Sequence, residues 1–262
     1  MKYCLADLEA PLKQELLGGQ LFLYTHRSPD KETVNEDCVA VLPYNEDKAV
    51  LVVADGLGGL PGGSGAAQIA VSTIEKAFSQ QDKDINLRNL ILNCFEKANQ
   101  HILEKAMGSA TTLAVVELQN DELRTYHVGD SKIVVCGQRG KIKVNTVSHS
   151  PVEYAVEAGM LDENEAVLHE ERHLVSNVVG SNEMSITVGP TITLAKYDTV
   201  LIASDGLFDN LFIDEIIDII RKGTLEKAAG QLVKLANERM DSEEAGMPGH
   251  ADDLSFILYR QA

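Results

Sequence analysis

Aspartate recurs in this chain at one kind of place, the boundary of a short strand-like run. Leu51–Ala54 runs into Asp55-Gly56, and Leu201–Ser204 runs into Asp205-Gly206. Asp130, preceded by Gly129, follows Arg124–Val128, and Asp252 stands just before Leu254–Tyr259. In antiparallel sheets the end of one strand lies beside the start of its neighbour, so all four acids can meet at one rim. Carboxylates gathered in this way repel one another unless cations sit among them. Hard oxygen ligands, with waters in the remaining positions, suit Mg²⁺ or Mn²⁺.

Other chemistries compete for the same residues. A single Asp-Gly after a strand is more often a turn than a ligand. The glycine-rich run Gly56–Gly65 leads from a strand to a helix and could cradle a nucleotide phosphate. A G-x-G-x-x-G beginning at Gly56 would need glycine where Pro61 stands, and no G-x-x-x-x-G-K-[ST] is present. The G-x-S-x-G nucleophile elbow fails at Ala66. A phosphatase with a covalent aspartyl intermediate needs an aspartate two residues before an Asp-Gly; those positions are Val53 and Ala203.

The elements that must carry these acids are legible as alternating groups. Cys38–Tyr44 and Ala49–Ala54 read as a hairpin turned at Asn45–Lys48. Thr111–Leu118, Arg124–Val128 and Lys132–Cys136 form a second group of strands, and Thr191–Ala195, Thr199–Ala203 and Leu254–Tyr259 a third. Between them lie apolar faces at helical period: Ala66, Ile69, Ala70, Ile74, Ala77 and Phe78; Ile91, Cys94, Phe95, Ala98 and Ile102; Leu225, Ala228, Ala229, Leu232 and Ala236. Residues 151–180 are polar and rich in Glu and His, and Asp162 with Glu165 reads as a capping box for a short helix. Antiparallel strands covered by helices predict an α/β sandwich.

Composition narrows the partners. Twenty-three Lys plus Arg against forty Asp plus Glu give a net charge of −17, which repels nucleic acid and anionic membranes. The longest apolar runs have about six residues, far below the roughly twenty that span a bilayer. Cys4, Cys38, Cys94 and Cys136 lie far apart with no zinc-ligand spacing, and buried free thiols are the expectation for those inside apolar runs. The start of the chain lacks a basic-then-apolar signal pattern. Together these predict a cytoplasmic protein.

Six motifs occur in an order that resembles the metal-dependent protein phosphatases of type 2C, the PPM family, and its bacterial members most. They are Asn35-Glu36-Asp37, Asp55-Gly56-Leu57-Gly58-Gly59, Gly108-Ser109-Ala110-Thr111-Thr112, Gly129-Asp130-Ser131, Ser204-Asp205-Gly206 and Asp252-Asp253. The resemblance runs from about Leu21 to Tyr259 and implies a four-layer α+β sandwich, two antiparallel sheets flanked by pairs of antiparallel helices. It implies one phosphatase domain over 1–262, with residues of about 151–180 as a flap beside the site. It also implies roles. Asp55 would bridge two metals, with the Gly56 carbonyl on one of them. Asp205 and Asp252 would hold the first metal, Glu36 and Asp37 the second, and Asp130 a weaker third. Phosphoserine or phosphothreonine in proteins would be hydrolysed by a hydroxide bridging two Mn²⁺ or Mg²⁺ ions roughly 3.5–4 Å apart, with no covalent intermediate. The implied partners are substrates of a serine/threonine kinase, and the implied state is a monomer.

Four positions depart from the family pattern. Glu32 stands where a phosphate-gripping arginine is common, which leaves Lys31 or Arg27 as candidates, although a lysine cannot form the bidentate fork. Leu57 and Leu60 stand at places where members carry histidine, and Asp253 where asparagine is usual. His149 in Ser148-His149-Ser150 is the motif-adjacent candidate acid, with a surface hydrogen-bonding role the commoner reading. The alternative to catalysis is a pseudophosphatase, a binding module of the same fold. Such proteins usually lack a metal aspartate, and here the set is complete.

Overall fold

A computed structural model describes residues 1–29, 31–57, 62–80, 86–105, 108–242, 244 and 246–261. One sheet is built from β1 (Lys2–Cys4), β4 (Asp37–Pro43), β5 (Lys48–Asp55), β6 (Leu113–Gln119), β7 (Glu122–Val128) and β10 (Thr187–Val188), in that order, with β11 (Ile192–Thr193) also paired to β7. The other runs β2 (Leu12–Leu16), β3 (Gly19–His26), β13 (Leu254–Gln261), β12 (Thr199–Ala203), β8 (Lys132–Cys136) and β9 (Ile142–Asn145). Every strand pairing among the described residues is antiparallel. Helices α1 (Gly63–Ser79) and α2 (Leu87–Glu104) cover the first sheet. Helices α5 (Asp205–Phe208), α6 (Ile213–Ile220) and α7 (Leu225–Met240) cover the second. The expected four layers are present.

The strand period assigns each residue to a layer. Along β5, Val50, Val52 and Ala54 face the helices, while Ala49, Leu51 and Val53 face the other sheet. A strand covered on both faces must be apolar at every position, which is why Ala49–Ala54 reads as an unbroken run. Asp55 continues the odd series and therefore projects between the sheets. Asp37 does the same on β4, whose Val39 and Val41 belong to the inter-sheet core, and its Cα is registered opposite that of Asp55. On the second sheet Ile257 and Tyr259 of β13 face inward, so the same parity carries Ser255 and Asp253 to the inter-sheet side. Acids from both sheets thus arrive at one end of the sandwich.

The helices follow from apolar periodicity and caps. Asn86 Oδ1 accepts the Asn89 N–H (3.1 Å) at the start of α2, and Leu90, Ile91, Cys94, Phe95, Ala98 and Ile102 are its buried face. Full burial of a side chain such as Phe95 contributes roughly 1.5–3 kcal/mol. Residues 151–180 hold α3 (Pro151–Glu157) and α4 (Glu163–Val167), and the predicted capping box is formed by Asp162 and Glu165.

Two expectations need correction. Cys4 and Cys38 are not separate thiols: the β1–β4 register places them opposite each other, Cα atoms 4.2 Å apart, in a disulfide, while Cys94 and Cys136 remain free and buried. Thr191–Ala195 shrinks to the two-residue β11, which lies at the sheet margin and among the described residues pairs with β7 alone.

Candidate metal centre

Each acid is held by a different local device. The Asp55 backbone is gripped by the facing Thr111-Thr112 pair. Asp55 N–H donates to Thr112 Oγ1 (3.0 Å), Thr112 N–H donates to the Asp55 carbonyl (2.8 Å), and Thr111 Oγ1 donates to that same carbonyl (2.7 Å). Thr112 Oγ1 also pairs with Ser131 Oγ at 2.7 Å, which ties the Asp55 strand end to the Asp130 turn. That turn requires Gly129: its φ is +102°, and a Cβ there would stand 2.6 Å from Thr112 Cβ.

Asp205 opens the short helix α5, and Gly206 lets α5 press against β13, since a Cβ at Gly206 would lie 2.1 Å from the Asp253 carbonyl. Buried Asn210 then fixes the approach of Asp252. It donates to the carbonyls of Gly206 (2.9 Å) and His250 (2.8 Å) and accepts the His250 N–H (2.8 Å). Asp252 Oδ1 accepts the N–H of Asp253 at 2.7 Å. Ser204 Oγ crosses between the sheets to donate to Asp37 Oδ2 at 2.8 Å. Glu36 is half-buried, and its carbonyl accepts the Gly56 N–H at 3.2 Å.

The electrostatics show how close these groups are. Burial, and then the charges of Asp205, Asp37, Asp252 and Asp130, push the Asp55 carboxyl well above the usual range. Asp205 is raised likewise, by burial and then by Asp252 and Asp130. Asp37 is raised by burial and then by Asp253, and Asp252 by burial. Asp130 is pushed up to about 7 by burial and by Asp209. Asp37, Asp55, Asp130, Asp205 and Asp252 therefore act on one another's charges.

A divalent cation fits this group on two counts. The buried oxygens Asp130 Oδ1 and Asp205 Oδ1 have no hydrogen-bond partner among the described residues, an arrangement that costs about 1–3 kcal/mol per group without compensation. The donors are also overwhelmingly carboxylate oxygens, the ligand type of Mg²⁺ and Mn²⁺. Among the described residues no three acids close on a single point as a finished cage. Part of any ion's shell would fall to carbonyls such as that of Gly56 and to water. Gly58, Gly59, Leu60 and Pro61, part of the glycine run, lie outside the described residues.

The two candidates for gripping phosphate are already paired. Arg27 Nη2 lies 2.7 Å from Asp7 Oδ2, and Arg27 Nε donates to the same carboxylate. Lys31 Nζ donates to Asp253 Oδ2 (2.7 Å) and Glu36 Oε2 (3.1 Å), and these pairings outweigh burial to hold its pKa above the usual lysine range. His149 is buried rather than at the surface. Its Nδ1 accepts the Gly129 N–H (3.0 Å) and its Nε2 pairs with Thr187 Oγ1 (2.8 Å), so the ring is neutral, with its pKa pushed down to about 4 by burial and by stacked His127. A ring held in this state braces the Asp130 turn and is not placed to donate a proton.

Sequence reasoning quoted Thr111, Thr112, Ser131 and Ser204 inside motifs but gave them no role, because a hydroxyl's partner across a sheet is not visible in spacing. It missed Asp209, half-buried and paired through Oδ2 with Arg172 Nε at 3.1 Å. Its position four residues after Asp205 was the available signal.

Comparison with known proteins identifies the family and the fold. The family model described as Protein phosphatase 2C matches residues 26–237. The protein phosphatase PhpP of Streptococcus pneumoniae is 29% identical over 216 residues, covering 79% of this chain and 87% of that protein. The solved serine/threonine phosphatase of S. agalactiae superposes with a TM-score of 0.80 at 25% identity, covering 93% of this chain and all (100%) of that one. Stp1 of Staphylococcus aureus gives 0.78 at 26%, covering 97% and 98%. With the layers, the strand-end aspartates and the family match in agreement, the chain belongs to the protein phosphatase 2C family of metal-dependent protein serine/threonine phosphatases.

Proposed function

We propose that this chain hydrolyses phosphoserine and phosphothreonine in proteins at the acidic rim, by direct attack of water and without a covalent intermediate. The observation that carries the reading is the coupled group Asp37, Asp55, Asp130, Asp205 and Asp252, with two of its buried oxygens unpartnered among the described residues. Asp205 and Asp252 would hold one tight ion and Glu36 and Asp37 a second, with Asp55 shared by both and the Gly56 carbonyl on one of them, and Asp130 with Asp205 a weaker third. When bound, Mn²⁺ or Mg²⁺ supplies an acidified water and counter-charge for the phosphoryl oxygens. The chain's own part is to hold the acids in place: Thr111 and Thr112 fix the Asp55 backbone, and Asn210 ties the segment after Asp205 to the one before Asp252 through Gly206 and His250.

Residues 1–262 act as one catalytic unit, with 151–180 as a flap whose Arg172 reaches Asp209 beside the acids. Phosphoprotein products of a serine/threonine kinase are the substrates, and the chain works as a monomer with neither nucleic acid nor membrane as partner. A cytoplasmic setting accompanies this reading. The free thiols Cys94 and Cys136 support it, and the Cys4–Cys38 disulfide argues the other way. Alkylation of the protein in intact cells, followed by mass spectrometry, shows whether Cys4 and Cys38 are oxidised there.

The decisive assay is turnover of p-nitrophenyl phosphate and of a phosphothreonine peptide with Mn²⁺ or Mg²⁺, before and after EDTA. Activity should require the ion and vanish on chelation. Turnover surviving thorough chelation would sink the proposal, and metal binding without turnover would favour the pseudophosphatase alternative.

A further inference from the structure

The loop between β3 and β4 has to deliver Glu36 and Asp37 to the acidic rim, and one side chain organises it. Asp253 is buried, and both of its oxygens are used. Oδ1 accepts the Ser28 N–H at 2.7 Å. Oδ2 accepts the Glu36 N–H at 2.7 Å and Lys31 Nζ at 2.7 Å. Two backbone N–H groups and an ammonium thus converge on one side chain. An asparagine has a single acceptor oxygen, and its NH₂ would face a second N–H, so this geometry selects a carboxylate.

A buried carboxylate needs a counter-charge, and Lys31 is placed to provide it. The side chain of Lys31 is 20% exposed, and its Nζ touches both Asp253 and Glu36. The Asp253 backbone N–H meanwhile donates to Asp252 Oδ1 (2.7 Å), so the same residue orients a second member of the acidic group. The two departures from the family pattern at this edge, an aspartate at 253 and no arginine at 32, are linked through this ammonium.

We propose that Lys31 and Asp253 are a positioning pair for the metal centre: Asp253 clamps the 28–36 loop by its backbone, and Lys31 pairs with that carboxylate while steadying Glu36. Lys31 is then the partner of an internal carboxylate rather than the residue that grips the substrate's phosphate. The inference rests on the metal-centre reading given above.

The test measures Mn²⁺ binding to the full chain by titration calorimetry, with inorganic phosphate inhibition and melting temperature alongside. Lys31→Met and Asp253→Asn should each weaken Mn²⁺ at least tenfold. The double variant should bind within about threefold of the worse single, because the two residues act as one unit. Lys31→Arg keeps a cation between the two carboxylates and should retain Mn²⁺ affinity within about threefold. Inhibition by inorganic phosphate, measured at saturating Mn²⁺, should change less than twofold in Lys31→Met. The sign is diagnostic, since a lysine that merely repelled an incoming cation would leave tighter Mn²⁺ binding when removed. Unchanged or tighter binding overturns the proposal. So does a large loss of phosphate inhibition with Mn²⁺ affinity intact, which would make Lys31 a phosphate ligand. If Lys31→Met does not fold, Lys31→Gln, which drops the charge but keeps a donor, is judged by the same tenfold criterion. A wild-type chain that binds no Mn²⁺ would overturn the metal-centre reading itself, whereas wild-type binding matched by the variants overturns only the pair.

Discussion

Asp55 and Asp130 sit in the same coupled group, yet they should respond differently to substitution. Asp55 feels the charges of four other acids, which suits the shared position proposed for it. Asp55→Asn should lower the rate by orders of magnitude at saturating Mn²⁺. It should also raise the metal-free melting temperature, because one repelling carboxylate is gone. Retention of more than about a tenth of wild-type activity, roughly 1.4 kcal/mol of barrier, would remove Asp55 from the bridging role. Asp130 sits on the turn braced by Gly129 and His149, one step from the main group. Asp130→Ala should keep the tight ions and lose far more rate on a phosphopeptide, whose alkoxide leaves poorly, than on p-nitrophenyl phosphate, whose leaving group needs little proton help. Equal losses on both substrates would assign Asp130 a structural role.

Among the elements, the critical joint is where the end of β5 meets the Thr111-Thr112 segment that enters β6. Thr112→Val is nearly isosteric, but it removes the hydroxyl that accepts the Asp55 N–H and pairs with Ser131. A buried N–H left unpaired costs about 1–3 kcal/mol, so urea denaturation should register a loss of that size. Mn²⁺ affinity should fall as well, because Asp55 loses one of its anchors. Stability loss with unchanged Mn²⁺ binding would show that the clamp serves the fold alone. The same scale explains an error in the sequence reading. His149 looked like a surface residue between two serines, and only the approach of residues 176–187 to the Gly129 turn buries it.

In the whole molecule, a net charge of −17 and a cluster of raised carboxyl pKa values make stability depend on both pH and metal. A carboxyl whose pKa is higher in the folded chain than in the unfolded one contributes stability that is complete below the unfolded value. That contribution is lost as pH rises through the folded value. For Asp130 the window runs from about 4, the ordinary aspartate value, to about 7. The metal-free protein should therefore become less stable between pH 5 and pH 7, by up to about 1.4 kcal/mol per pH unit for each such group. With saturating Mn²⁺ the slope should flatten or reverse, because the ion competes with protons for the same oxygens. Urea titrations at several pH values, with EDTA and with Mn²⁺, measure both slopes; a metal-free protein that gains stability across that range would contradict the coupling.

The sequence by itself determined which residues stand at strand ends, because an apolar run broken by Asp-Gly marks a boundary whatever the run later packs against. It also determined α1, α2 and α7, whose buried faces recur at helical period. It could not show that Asp37 and Asp55 face the second sheet, because alternation is invisible in strands buried on both faces. Nor could it show β3, whose Gly19–His26 pairs along its whole length with β13, some 230 residues away (Leu23 with Ile257, for instance), since pairing at that distance leaves no local mark. The Cys4–Cys38 contact and the Lys31–Asp253 pair are further products of register and loop path. The candidate acids were local and legible; their convergence, charge coupling and hydrogen-bond partners come from the way the two sheets stack, and only the tertiary structure decided them.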